Sequence, residues 1–453
     1  MPFPSLAELD AGDVPADGFP TVEELHVDLM ELCRAHPDRI TASVIGHSRL
    51  GEPIDLFTVA GGARTVVVAG GVHPNEPIGF RTIQHLARLL ISQPDAYGFD
   101  ATWHLVACID PDGTRLNEQW FPAPLRRDDY YRGFYRPAPD EQVEWSFPFS
   151  HRGFGFDAPI PETSALMELF DRVAPDVFVG LHNGEFGGVY FYTNERDGAL
   201  AGELSTIPAQ FGLPLDVGEP EMPDLDVLAD AVFRAPLTRE QIDRRIARGL
   251  DDGPQAGGAG TADYLERFGT TTMIAELPYW VHPDAADLTD AGVSYREVIA
   301  AKAAALDELH ELMGGILHAV RGALTIDSPF RRASAAFAVG MGAVAAAERA
   351  RIASAETDRP ATVAEVFGNT EAVRTFRLRF AGILRRALDA EVHAGTAAPV
   401  VRTALAELTA RWEEWLAADP HAGLAPVRLN ALVGVQLAAL FATVRHRVVR
   451  SVA

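Results

Sequence analysis

His73 and Glu76 stand three residues apart in TVVVAGGVHPNEPIGFR (residues 65–81), and both side chains can bind a metal ion. His182 offers a second imidazole and Glu276 a second carboxylate, each where a short apolar run ends. Two histidines and a glutamate leave the fourth position of a tetrahedral zinc ion open, the arrangement of a catalytic rather than a structural site. Water in that position has its pKa lowered toward about 7. A further carboxylate can then serve as general base and proton shuttle, a role open to Glu276. Arg115 could steady the oxyanion formed when such a water attacks a carbonyl; its competing role is a salt bridge with Asp110 or Asp112. The short motif alone carries little weight. About one His-x-x-Glu is expected by chance at ordinary glutamate frequency, and the chain has two, the other being His182–Glu185. Glu185 is thus a rival carboxylate, but Phe186-Gly187-Gly188 follows it and reads as a turn.

The elements that must position these groups are legible in the pattern. The β-branched run Thr65–Val68 ends at Gly70-Gly71, and Pro77 opens an amphipathic segment reaching about Ile91. That predicts a buried strand, a tight turn, and a helix with proline first. Trp103–Cys108, Asp176–Leu181 and Thr271–Ala275 read as further buried strands, with His182 and Glu276 just past the last two. Open α/β sheets bind ligands at the C-terminal ends of their strands, so residues far apart in sequence can meet there.

Thr21 and Glu24 make a capping box for a first helix. Ile40–Ile45 and Ile54–Val59 are expected strands around a turn at Leu50–Pro53, Pro161–Val173 a helix, and Val189–Tyr192 a strand. Residues 126–152, rich in arginine, tyrosine and proline, show no period, and irregular stretches this long are often functional. Gly253–Gly260 is expected to be a mobile loop; it lacks the lysine of a phosphate loop. After about Leu288 strands disappear. Ser294–Leu324, Ser334–Ser354, Ala372–His393, Val400–Ala417 and Val427–Val449 have helical spacing, with a break at Asp327-Ser328-Pro329. The pattern gives an α/β domain over residues 1–324 and an all-α domain over 325–453.

Composition narrows the partners. The chain has 453 residues, 47% of them hydrophobic, and a net charge of −24. That charge argues against nucleic acid and anionic membranes. Cys33 and Cys108 are the only cysteines, so no disulfide framework is expected. The start lacks a secretory pattern, and Ala333–Ala347 and Leu429–Val444 fall short of a membrane span. A cytoplasmic protein is expected. The small residues of the C-terminal helices suit either a cap on the catalytic part or a self-association surface, and hence a homo-oligomer.

The stretches GGVHPNEPIG, DPDGTRLNE, PETSALMELFDRVAPDVFVGLHN and TTTMIAELP resemble, in order and approximate spacing, the zinc metallocarboxypeptidases of the carboxypeptidase A/B superfamily, in a compact bacterial form without a pro-domain. The resemblance covers about residues 21–320. It implies a mixed central sheet flanked by helices, one zinc ion per chain on His73, Glu76 and His182, Arg115 as oxyanion stabiliser and Glu276 as general base. Two histidines and one glutamate are the established ligands of carboxypeptidase A.

Two departures bear on specificity. Family members that remove C-terminal residues carry an Asn-Arg pair for the substrate carboxylate, and Glu144-Trp145 stand there instead. A carboxylate at that point is expected to repel an anionic chain end. The family's tyrosine upstream of the catalytic glutamate is also missing around residues 254–258. The expected substrate is therefore a non-standard peptide or small amide, with Arg132, Arg136, Trp145 and Tyr279 as substrate-binding candidates among the nearby arginines Arg126, Arg127 and Arg152. Tyr279 could equally belong to the core. Two other functions fit the same residues: an N-acyl amino acid deacylase of the aspartoacylase and desuccinylase type, and a binding protein on the same fold.

Overall fold

The computed structural model describes residues 9, 14–222, 225–247, 249, 257–419, 421 and 423–450. Residues 253–256 of the expected mobile loop, and nearly all of the first thirteen, lie outside these.

Nine strands form one mixed sheet: β1 (Ile40–His47), β2 (Pro53–Val59), β3 (Arg64–Ala69), β4 (Ala101–Val106), β5 (Val177–His182), β6 (Tyr190–Thr193), β7 (Val227–Ala229), β8 (Val232–Arg234) and β9 (Thr271–Glu276). Their spatial order is β1-β2-β4-β3-β5-β9-β6-β8-β7. The central strands β4, β3, β5 and β9 are mutually parallel. β3 and β5 are almost wholly apolar because both faces are covered. Parallel alignment brings the ends of β3, β5 and β9 to one edge, with Glu276 directly opposite His182. The β6 strand runs antiparallel beside β9, setting Tyr190 opposite Glu276.

Helices α1 (Val22–Ala35), α2 (Ile78–Ser92), α3 (Pro161–Val173) and α4 (Gly198–Gln210) flank the sheet. The capping box at Thr21 and Glu24 is formed. Pro77 sits at the N-cap of α2, one residue earlier than the sequence suggests, and Asn183 Oδ1 accepts from the Ile78 N–H. The residue after His182 thereby caps the helix that follows the His73 loop. Two glycines are required here. Gly71 has φ +66°, and a Cβ on Gly79 would lie 2.9 Å from Leu181 Cβ, so α2 packs close on the end of β5.

The C-terminal helices are α5 (Tyr295–Val320), α6 (Pro329–Ile352), α7 (Val363–His393), α8 (Pro399–Ala417) and α9 (Leu429–Arg450). The expected division at 324/325 falls between α5 and α6, which pack on each other and with α7 and α8 make one bundle. The last helix, α9, returns to the sheet and lies on α2, α4, β5 and β9. By length and composition Leu429–Val448 could cross a membrane, a longer apolar stretch than expected, but most of it is buried in the protein. Its polar break Gln436 accepts from Thr82 and donates to the His182 carbonyl, supporting the site from beneath.

Candidate active site

His73, Glu76 and His182 are brought together and buried, with one ligand atom from each lying within 4.8 Å of the others. Glu276 joins them from β9, its Oε1 3.6 Å from His182 Nδ1. His182 Nδ1 is also 3.1 Å from Glu76 Oε2. Yet His73 Nδ1 and both ring nitrogens of His182 are buried without a well-formed hydrogen bond. Buried polar atoms are normally satisfied. Donor atoms that converge without bonding to one another fit a metal ion between them, and the His₂Glu set suits zinc.

Electrostatics follow from burial and the crowd of carboxylates. Burial brings the His73 imidazole down to about 4, with the Arg136 charge adding to the effect. Burial also pulls on His182, but Glu144, Glu76 and Glu276 outweigh it and push that imidazole up to about 10. Burial raises the Glu276 carboxyl well above the usual range, helped by Glu76, Glu221 and Glu144 and opposed by His182. Ligand imidazoles must be neutral. His182 therefore gives up a proton when zinc binds, and zinc affinity is expected to rise with pH until about 10, where that proton is already lost. Competition titrations against a chelator at several pH values measure this; a flat profile between pH 6 and 9 would refute it.

Glu144 packs against the two histidines. Its Oε2 lies 3.1 Å from His73 Nε2 and 3.6 Å from His182 Nε2, behind both rings. A carboxylate there fixes ring orientation and raises ligand basicity, and losing such a partner typically costs about 10–100-fold in metal affinity. Glu144→Ala is expected to weaken zinc binding by that factor, read by chelator competition. Unchanged zinc affinity with tighter binding of anionic substrates would restore the repulsion expected from the sequence.

Arg115 is not at the site. Its guanidinium makes a bidentate pair with Glu52 at 2.9 and 2.8 Å, partly in solvent. Arg136 holds the near position instead: Nη1 donates to Glu76 Oε1 at 3.0 Å and Nε to Gln142 Oε1 at 3.1 Å. Arg132 pairs with Glu413, Arg126 with Asp129, Arg127 with Glu371 and Arg152 with Asp243, all away from the metal ligands. Trp145 lies in the short turn after Gln142, its carbonyl accepting from the Gly258 N–H. Tyr279 belongs to the core: its hydroxyl donates to the Asn75 carbonyl and its ring packs on Phe19, Trp120 and Trp280. Glu185 accepts from Tyr130 and Arg379 and is not part of the His73, Glu76, His182 cluster.

Sequence reasoning missed Glu221. Tyr192 Oη donates to it at 3.1 Å, and its charge is felt by Glu276. The neighbouring Glu219 is tied to the bundle through Tyr295 Oη at 2.5 Å, Arg351 Nη1 at 2.9 Å and Asn369 Nδ2 at 3.2 Å. The bundle thus anchors the segment that carries Glu221. No periodicity or motif in Glu219-Pro220-Glu221 announces this.

Fold and site together define a class: a mixed-sheet α/β protein with a buried His₂Glu cluster that could hold a metal ion, and an adjacent carboxylate. Residues 26–211 match the family described as zinc carboxypeptidase, a stretch that includes His73, Glu76, Glu144 and His182. Over that segment, less than half of the chain, the sequence is similar to zinc carboxypeptidases. No curated protein matches the sequence significantly. Among solved structures, carboxypeptidase A from Helicoverpa armigera is similar at 12% identity and TM-score 0.39, covering 75% of each chain. Bovine thrombin-activatable fibrinolysis inhibitor, in complex with tick carboxypeptidase inhibitor, is similar at 13% identity and TM-score 0.38, covering 56% of this chain and 86% of its own. A metallo-carboxypeptidase from Burkholderia cenocepacia gives 15%, 0.33, 57% and 60% in the same order. Likenesses this distant carry no argument about activity.

Proposed function

We propose that the chain hydrolyses an amide bond in a peptide or amino-acid-derived substrate, using one zinc ion per chain held by His73, Glu76 and His182. The observation that carries this reading is the convergence of buried ring nitrogens that have no hydrogen bonds of their own. A bound zinc ion supplies Lewis acidity, polarising the carbonyl and making water easier to deprotonate. Glu276 takes the proton of the attacking water at its carboxylate and delivers it to the departing nitrogen. The carbon–oxygen bond forms, the carbon–nitrogen bond breaks, and the amine leaves with that proton. A dication held by His73, Glu76 and His182 would favour the ionised form of the Glu276 carboxyl. Arg136, one residue removed from the ligand shell, holds the negative charge that grows on the carbonyl oxygen.

The Asn-Arg pair is absent, and among the nearby arginines only Arg136 contacts a metal-ligand candidate. A substrate without an obligatory free C-terminal carboxylate follows from that. The test is a panel of N-blocked dipeptides, their C-terminal amides and N-acyl amino acids. Hydrolysis abolished by a chelator and restored by zinc is expected, with amides cleaved at least as well as free acids. Chelator-resistant hydrolysis would remove the metal from the mechanism. A strong preference for free acids would mean that another group replaces the pair.

A further inference from the structure

The short helix Arg127–Gly133 ends just before Arg136, and residues 134–138 have no regular structure. Carbonyls at a helix end have no partner within the helix and must find one elsewhere. Here the bundle supplies it. Arg386 of α7 donates from Nη1 to the carbonyls of Gly133 and Phe134 at 2.7 and 2.9 Å, and from Nη2 to that of Leu116 at 3.1 Å. One planar guanidinium thus ties together two stretches that are distant in sequence. Asn117 continues the link. Its Oδ1 accepts from the Tyr135 N–H at 2.9 Å, and its Nδ2 donates to the Tyr135 carbonyl at 2.9 Å. The residue before Arg136 is therefore held at both its backbone groups.

The same short helix is docked along α7 by two further contacts. Tyr131 Oη lies 3.1 Å from Thr375 Oγ1, and Arg127 pairs with Glu371 at 2.7 Å. Phe330 of α6 lies 4.3 Å from the Arg386 guanidinium and packs edge-on against the Tyr135 ring. Arg386 makes no ion pair among the described residues. Burial, with the charge of Arg385 beside it, pushes its guanidinium down to about 10, so it is still a cation at neutral pH. A partly buried cation without a counter-charge is costly. The three carbonyl bonds offset that cost only while the chain at 116 and at 133–134 keeps this arrangement.

We propose that Arg386 is a positioning residue for Arg136: through this guanidinium the helical bundle holds the chain that aims Arg136 at Glu76. The inference rests on the reading of Arg136 as the group that holds the charge growing on the carbonyl oxygen. Lysine would keep the positive charge at position 386 but lacks the rigid fork that reaches three carbonyls at once.

The test is a double-mutant cycle on the zinc-loaded full chain, combining Arg386→Met with Arg136→Ala and following hydrolysis of an N-blocked dipeptide amide. Arg386→Met is expected to lower kcat at least tenfold and to leave KM within about twofold. Once Arg136→Ala is present it should cost less than about twofold more, whereas a merely structural role would cost the same in both backgrounds. A second readout needs no activity. In crystals of zinc-loaded Arg386→Met, Arg136 should have left Glu76, with which it makes a 3.0 Å contact in the intact chain. Equal losses in the two backgrounds, wild-type kcat in Arg386→Met beside an impaired Arg136→Ala, or Arg136 still seated on Glu76 in those crystals would each overturn the proposal. If Arg136→Ala itself keeps full kcat, the oxyanion reading fails, and the crystals alone decide on Arg386. Should Arg386→Met fail to fold, Arg386→Lys takes its place in both arms, with at least a threefold loss of kcat expected.

Discussion

Replacing Glu276 by glutamine is expected to lower turnover by about two to four orders of magnitude while the protein keeps its zinc. Glutamine preserves the shape of the side chain at the end of β9 and its position opposite His182. It cannot accept the proton of water. The ligand atoms of His73, Glu76 and His182 are untouched, so metal content and substrate KM should hardly change. Steady-state kinetics with parallel zinc analysis separate these effects. If the variant keeps full turnover, the base lies elsewhere, and Glu221 is the next carboxylate to test because it faces the same charges.

Arg136→Ala is expected to cost about 10²–10³ in kcat, whereas Arg115→Ala should change it by less than about twofold. Each guanidinium has a defined partner, and the partners differ in kind. Arg136 bonds a metal-ligand candidate in a largely buried setting. Arg115 bonds Glu52 where both side chains reach solvent, a pair worth less than about 1 kcal/mol. Because Arg136 also touches Glu76, its variant must be assayed at saturating zinc, so that a loss of metal is not read as a loss of oxyanion stabilisation. Equal losses in the two variants, or a loss confined to Arg115, would reverse the assignment.

The contrast between these arginines shows where sequence reasoning stops. β3, β5 and β9 were legible because buried parallel strands are short apolar runs, and the residue just past each run falls on one edge of the sheet. His182 and Glu276 stand at such ends, whereas His73 and Glu76 lie in the loop after β3, and the resemblance of the flanking stretches is what implies the four as one set. Arg136 lies in a segment without period, where several arginines look alike until the fold assigns each a carboxylate. Glu144 was visible as a departure, but the direction of its side chain depends on the turn at residues 143–145, which turns it behind the histidines. The C-terminal helices could be read from their spacing, but their partners could not. Apolar residues surround most of α9, which marks burial without saying against what, and it packs on the sheet rather than on the bundle.

The measurement that bears most directly on this account is zinc per chain by elemental analysis, for the wild-type protein, Glu276→Gln and His182→Ala. The account predicts about one zinc per chain in the first two and well under one in the third, since of the two replaced residues only His182 is a proposed ligand. Wild-type protein that holds well under one zinc per chain after reconstitution, or His182→Ala that holds as much as wild type, would contradict it.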